Sequence, residues 1–361
     1  MAMLATLRLA SFTTPMRFAA RHARTAHLPR RGLSRLLSTR RNTTGFTLPH
    51  QRRSLATLDS QERPIRYLHG EPGTADIYAF LHRNTETWQY IVADPETKEA
   101  VVIDSALDYD APSGRLDTKA ADELLEFAAS QGLSVVRILE THAHADHLTA
   151  SQYLKSKLPR EVPICIGRRI RQVQTNFAPF YGFDKSLLQR SFDVFFEDDE
   201  KFDIGNLSCS VMHLPGHTPD HIGYLVGKAV FTGDSIFMPD VGSARVDFPG
   251  GDAHQLYSSM HRLLSLPEDY LLFVGHDYPS DREYAAAATV ATHRAQNKHV
   301  KVGISEKAFT DMRQTRDKSL GAPRLFHPSL QVNVRAGRLP PADEDGNIRM
   351  KIPLRTSFRT D

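Results

Sequence analysis

"THAHADHLTA", residues 141–150, places His142, His144, Asp146 and His147 within six consecutive positions, directly behind the apolar run "SVVRILE" (134–140). A short run rich in Val, Ile and Leu reads as a buried strand, so the polar cluster sits where that strand ends. The next stretch, "LTASQYLKSKLP", reads as a helix that stops before Pro159, because proline excludes the helical conformation from the residue ahead of it. His142 and His144 alternate with Ala143, and an extended chain turns alternate side chains to the same side. Asp146 and His147 fall at the start of the following helix, aimed at a neighbouring position.

Three more ligand-type residues follow apolar strands further along. His217 lies in "LPGHTPD" behind "SCSVMH", Asp234 in "FTGDS" behind "KAV", and His276 in "FVGHDY" behind "YLL". A glycine precedes each, which lets the backbone turn tightly and bring a side chain inward. Neutral imidazoles and carboxylates are the donor set for zinc, iron or manganese. A lone HxH motif carries little weight, but four such motifs at successive strand ends specify a metal centre. Spacing supports two ions as well as one: His142, His144, His217 and Asp234 on the first, and Asp146, His147, Asp234 and His276 on the second. His254, His261, His293 and His299 read as ordinary helix or surface histidines.

The 361 residues divide by charge. Eleven arginines fall within residues 1–56, where no Asp, Glu or Lys occurs; the remainder holds 34 basic against 42 acidic residues. Arginine, serine and alanine without acid, with leucines spread between the arginines, is the composition of a mitochondrial transit peptide. Residues 1–56 are therefore read as a disordered leader, and the mitochondrial matrix as the destination. An acidic body lacks the basic stripe that nucleic acid requires. No apolar stretch reaches the ~20 residues of a membrane span. Cys165 and Cys209, the only cysteines, stand in apolar surroundings and read as buried hydrophobes rather than as a disulfide.

Strand-like runs open the body ("IRYLHG", "DIYAFLH", "WQYIVAD", "AVVIDSA") and later alternate with helical ones, predicting helices packed against two central sheets. Residues 57–300 are assigned to one catalytic domain and 301–361 to a C-terminal helix and tail packing on it. The segment 283–318 reads as helical, and the Pro- and Gly-punctuated tail from "HPSLQVNV" onward reads as extended chain on the surface.

The series "THAHADH", "PGHTPD", "FTGDS" and "VGHDY" resembles the metallo-β-lactamase superfamily over residues 60 to about 295. That resemblance implies an α/β fold, an αββα sandwich with the metal at the sheet edges, here with a C-terminal extension. "ETHAHADHLTASQYLK" and "GSARVDFPGGDAHQLYSSMHRLLSLP" are similar to the persulfide dioxygenase branch, and "PSLQVNVRAGRLPP" to its longer bacterial and fungal form. The branch implies one Fe(II) on His142, His217 and Asp234, two histidines and a carboxylate that leave positions open for substrate sulfur and O2. His144, Asp146, His147 and His276 would then orient ligands and water. Arg245 matches the branch's carboxylate-binding arginine, with an ion pair to Asp247 as the plain alternative. Tyr278 matches its active-site tyrosine, with a core aromatic as the alternative. Ala143 and Val246 stand where relatives often carry cysteine, which removes thiol regulation there without touching a proposed ligand.

The expected reaction converts glutathione persulfide, O2 and water to glutathione and sulfite. A hydroxyacylglutathione hydrolase with one or two zinc ions, cleaving a thioester by metal-activated hydroxide, shares the fold and the ligand residues. A non-catalytic metal or persulfide sensor is the alternative of a different class. The sequence leaves a homodimer open as the assembly.

Overall fold

The computed structural model describes residues 64–67, 73–184, 186, 188, 190–354 and 356, all within the unit Ala56–Asp361. The leader assigned to residues 1–56 lies outside the described residues. Two mixed sheets lie face to face. The 7-stranded sheet runs in the order β1 (Ile65–Tyr67), β2 (Asp76–His82), β3 (Thr87–Ala93), β4 (Glu99–Ile103), β7 (Ser134–Leu139), β9 (Ile164–Gly167), β10 (Val194–Phe196). The 6-stranded sheet runs β11 (Lys201–Ile204), β12 (Leu207–His213), β13 (Ile222–Val226), β14 (Ala229–Phe231), β15 (Leu271–Phe273), β16 (Ala287–Thr289). A small sheet joins β6 (Arg115–Asp117), β5 (Ala106–Asp110) and β8 (Leu148–Thr149).

Every residue of β3 is buried, which is why "TWQYIVA" carries apolar side chains on both faces instead of alternating with polar ones. Between the sheets, Tyr90 meets the edges of Phe231 and Phe273, with ring centroids 5.0 and 5.7 Å away. Each such ring contributes about 1.5–3 kcal/mol by leaving water. The Tyr90 hydroxyl donates to the Val274 carbonyl, so its polar end is also satisfied inside the core.

Helices cover both outer faces. Leu124 of α1 (Lys119–Ser130), Leu154 of α2 (Ser151–Lys157) and Phe177 of α3 (Ile170–Tyr181) pack with Ile138 and Ile164 of the first sheet. Leu256 and Met260 of α4 (Ala253–Leu264), Val290 of α5 (Val290–Gln296) and Phe309 of α6 (Glu306–Asp317) pack with Val230 and Leu272 of the second. The layers are helix, sheet, sheet, helix, as expected. No helix among the described residues is long and apolar enough to cross a membrane. Cys165 and Cys209 are buried free thiols, and burial pushes both up to about 12.

Two expectations fail. Residues 283–318 are not one helical segment: Ala287–Thr289 pairs with Leu271–Phe273, and two separate helices follow. Thr289 and Ser305 cap those helices by accepting from the N–H groups of Thr292 and Ala308, which restarts the helix at each polar residue. Nor does the tail begin as extended surface chain. Phe326–Asn333 forms α7, with Pro328 in its first turn, where the missing N–H costs nothing, and its residues from 328 to 333 are buried.

Candidate metal centre

Four connections meet at one end of the two sheets. The loop 140–147 leaves β7, His217 lies between β12 and β13, and Asp234 sits in the turn Gly233–Ser235 behind β14. His276 follows β15, which runs parallel to β14, so both strands deliver their loops to the same edge. Gly216 and Gly233 adopt φ of +134° and +47°, where a side chain is strained. A Cβ at Gly233 would also stand 2.7 Å from His221 Nε2. The turns carrying His217 and Asp234 therefore require glycine.

His142, His217 and Asp234 each offer one ligand atom to a common cluster within 4.8 Å of one another. Asp234 Oδ2 lies 4.0 Å from His142 Nε2 and 3.6 Å from His217 Nε2. Ligands about 2.1 Å from a shared ion stand roughly 3–4 Å apart, so these separations fit a cation. The tautomers fit as well. Thr141 Oγ1 donates to Asp104 and so accepts from His142 Nδ1 at 3.0 Å, while His217 Nδ1 donates to the Arg245 carbonyl at 2.7 Å. Both Nε2 lone pairs are left facing Asp234.

His142 Nε2, His144 Nδ1, His147 Nε2 and Asp234 Oδ1 are buried without a hydrogen-bond partner. Lone pairs buried together unsatisfied cost several kcal/mol unless a cation accepts them. Burial, then the neighbouring imidazoles of His144, His221 and His217, holds His142 far below its ordinary value and hence neutral, the ligating form.

The remaining expected residues gather around this cluster in two groups. Asp146 Oδ2 accepts from His147 Nδ1 at 2.9 Å and lies 3.3 Å from His276 Nε2; His276 Nε2 also lies 3.6 Å from Asp234 Oδ1. Burial pulls His276 down, but Asp234 and Asp146 prevail and lift it to about 9; Asp146, Asp234 and His276 also form a set of donor atoms within 4.8 Å of one another. His144 does not join the His142–His217–Asp234 cluster. Its Nε2 is turned onto Asp104 Oδ1 at 3.1 Å and Glu140 Oε2 at 3.3 Å.

Arg245 realises its ion pair: the guanidinium grips Asp247 through two contacts of 2.5 and 2.6 Å. It also lines a cavity of about 530 Å³ that reaches His217 and is walled by Phe177, Tyr181, Phe248 and Phe326. Tyr278 is no core aromatic, since the residue is 44% exposed; its ring stacks on His276 at 5.6 Å. Partial desolvation, followed by the carboxylates of Asp234 and Asp146, raises its phenol well above the ordinary value, so it stays a neutral donor.

Several residues that build the site were not legible as site residues. Asp104, in a left-handed conformation with φ of 52°, binds the N–H and hydroxyl of Thr141 as well as His144. Asp220 accepts from Ala143 N, and His221 Nε2 accepts from Asp234 N at 2.9 Å. His221 was findable, four residues after His217 in the same loop. Asp104 and Glu140, each at the end of a strand, carried no such signal. His293, on the helix Val290–Gln296, and His299 are buried.

The family model described as the metallo-beta-lactamase superfamily matches residues 84–276. "Glyoxylase B2" of Dictyostelium discoideum is 42% identical over 284 residues, covering 78% of this chain and 97% of that one. "Persulfide dioxygenase ETHE1, mitochondrial" of Bos taurus is 28% identical over 261 residues, covering 71% and 87%. The crystal structure of ETHE1 from Myxococcus xanthus aligns with a TM-score of 0.59 at 27% identity, covering 73% of this chain and 99% of that one. With the helix–sheet–sheet–helix layering and four ligand-bearing loops at one sheet edge, these matches establish that the chain belongs to the metallo-beta-lactamase superfamily.

Proposed function

We propose that this chain is a persulfide dioxygenase of the mitochondrial matrix, converting glutathione persulfide, O2 and water to glutathione and sulfite at a single ferrous ion. The observation that carries the reading is the His142–His217–Asp234 cluster, complete without His144, whose Nε2 is turned onto Asp104 and Glu140. Likeness to the ETHE1 proteins supports it. A ferrous ion held by those three side chains would supply an electron-rich centre with open positions for a soft sulfur anion and O2.

The protein's own part is positioning. The Arg245 carbonyl fixes His217, and Thr141 fixes His142, so both imidazoles present the same nitrogen to the centre without reorganising. The phenylalanine-walled cavity beside His217 would take the organic body of the persulfide. Arg245 can turn from Asp247 to a substrate carboxylate, a bidentate exchange between equivalent partners. Tyr278, held neutral beside the Asp234 and Asp146 carboxylates, can donate a hydrogen bond to a developing anion on sulfur.

A thioester hydrolase is the second reading, favoured by the name of the 42% identical relative and by the orphaned nitrogens of His144 and His147 near Asp146. One preparation decides between them. Full-length protein loaded anaerobically with Fe(II) should take up O2 on addition of glutathione persulfide and release sulfite in equal amount. Zinc-dependent cleavage of a hydroxyacylglutathione with no O2 uptake would reverse the assignment. A single equivalent of persulfide consumed, without turnover, would mark a sensor. The leader is tested separately: residues 1–60 fused to a fluorescent protein should reach mitochondria, and a cytosolic signal would remove that part of the proposal.

A further inference from the structure

The C-terminal extension reaches two of the histidine-bearing loops through side chains that no ligand-type motif marks. Asn333, at the end of α7, is 3% exposed and uses its whole amide on residues 144–149. Its Nδ2 donates to the carbonyls of His144 at 2.8 Å and His147 at 2.7 Å, and its Oδ1 accepts from Thr149 N at 2.9 Å. Both N–H groups and the carbonyl oxygen are thus employed. The backbone it grips has only the two-residue strand β8 as regular structure. The approach is close: at Gly337, just beyond α7, a Cβ would meet Gln152 N at 3.0 Å.

The second anchor lies on α6. Arg313, 2% exposed, donates to the carbonyls of Ser243 and Ala244, each at 3.0 Å, and to Asp317 Oδ1 at 2.6 Å. Asp317 Oδ2 accepts from Val246 N at 2.8 Å. Arg245 is therefore held on both sides, and its carbonyl is the one that receives His217 Nδ1–H.

We propose that the C-terminal extension acts as a clamp on the metal centre, with Asn333 and the Arg313–Asp317 pair as positioning residues for the loop that carries His142 and for His217. The inference goes beyond the dioxygenase reading and holds for either chemistry. Groups that orient metal ligands from behind typically change metal affinity about 10–100-fold when removed. A core residue of the same helices should change only stability.

The test is Co2+ binding to the full-length apoprotein by chelator competition, read through the cobalt absorption bands. Asn333→Ala should weaken binding about 10–100-fold and shift those bands, and Arg313→Met should weaken it in the same direction. Leu330→Ala, fully buried on α7, should lower the thermal midpoint and leave cobalt affinity within about threefold. Should Asn333→Ala fail to fold, Asn333→Asp serves: it keeps the shape and the acceptor for Thr149 but loses both donors. Wild-type affinity and bands in the Asn333 variant, or an equal loss of affinity in Leu330→Ala, would overturn the clamp. Neither result depends on O2 uptake, so this inference and the proposed reaction fail separately.

Discussion

A Cβ added at Gly275 would stand 2.5 Å from Asp234 Oδ1 and 3.0 Å from the Gly233 carbonyl carbon. That carboxylate cannot yield without leaving His142 and His217. Gly275→Ala should therefore strip most of the bound metal, and activity with it, which metal analysis of the purified protein checks. At His293, burial holds the imidazole at about 4, against an ordinary 6.5. Above pH 6.5 it is neutral both folded and unfolded; below that only the unfolded chain takes up the proton. Stability should fall as pH drops from about 6.5 to about 4, by up to ~1.4 kcal/mol per unit from this residue. Urea unfolding of the apoprotein across that window should show a shallower slope in His293→Gln. At this scale the sequence displayed the ligands but not their supports. HxHxDH and the three strand-end motifs are visible because imidazoles and carboxylates beside glycine are rare outside metal sites. Asp104 and Asp220 act through partners 37 and 77 positions away, a pairing that only folding creates.

The elements show the same division. Strands β2, β3, β4, β7 and β12 were legible because each is an apolar run bounded by turn residues, and α2 because Pro159 marks its end. The start of α4 rests on Asp252, whose carboxylate accepts from Gln255 N at 2.9 Å. Asp252→Ala should cost about 1 kcal/mol of stability, measurable by denaturant unfolding. Helix α7 was misjudged because "SLQVNV" alternates like a strand and proline stands near its start. Its burial on all sides erases the one-faced stripe that marks a surface helix. The strand Ala287–Thr289 was hidden for a related reason: two alanines, the strongest helix formers, and a threonine become a strand only because β15 offers an unpaired edge.

In the whole molecule, two sheets generate the site by bringing four loops to one edge, and the extension closes it from outside. The layering was readable from the order of apolar runs together with the family resemblance. The partnership between residues 313–333 and the histidine loops was not, because nothing local in those helices refers to a metal. The central claim concerns the cluster His142, His217 and Asp234, and anomalous diffraction at the absorption edge of the bound metal tests it most directly. One peak per chain, about 2.0–2.2 Å from His142 Nε2, His217 Nε2 and an Asp234 carboxylate oxygen, with His144 still on Asp104 and Glu140, is the predicted result. A peak that leaves out any of those three side chains, or a pair of peaks with His144 and His147 as ligands, would contradict it.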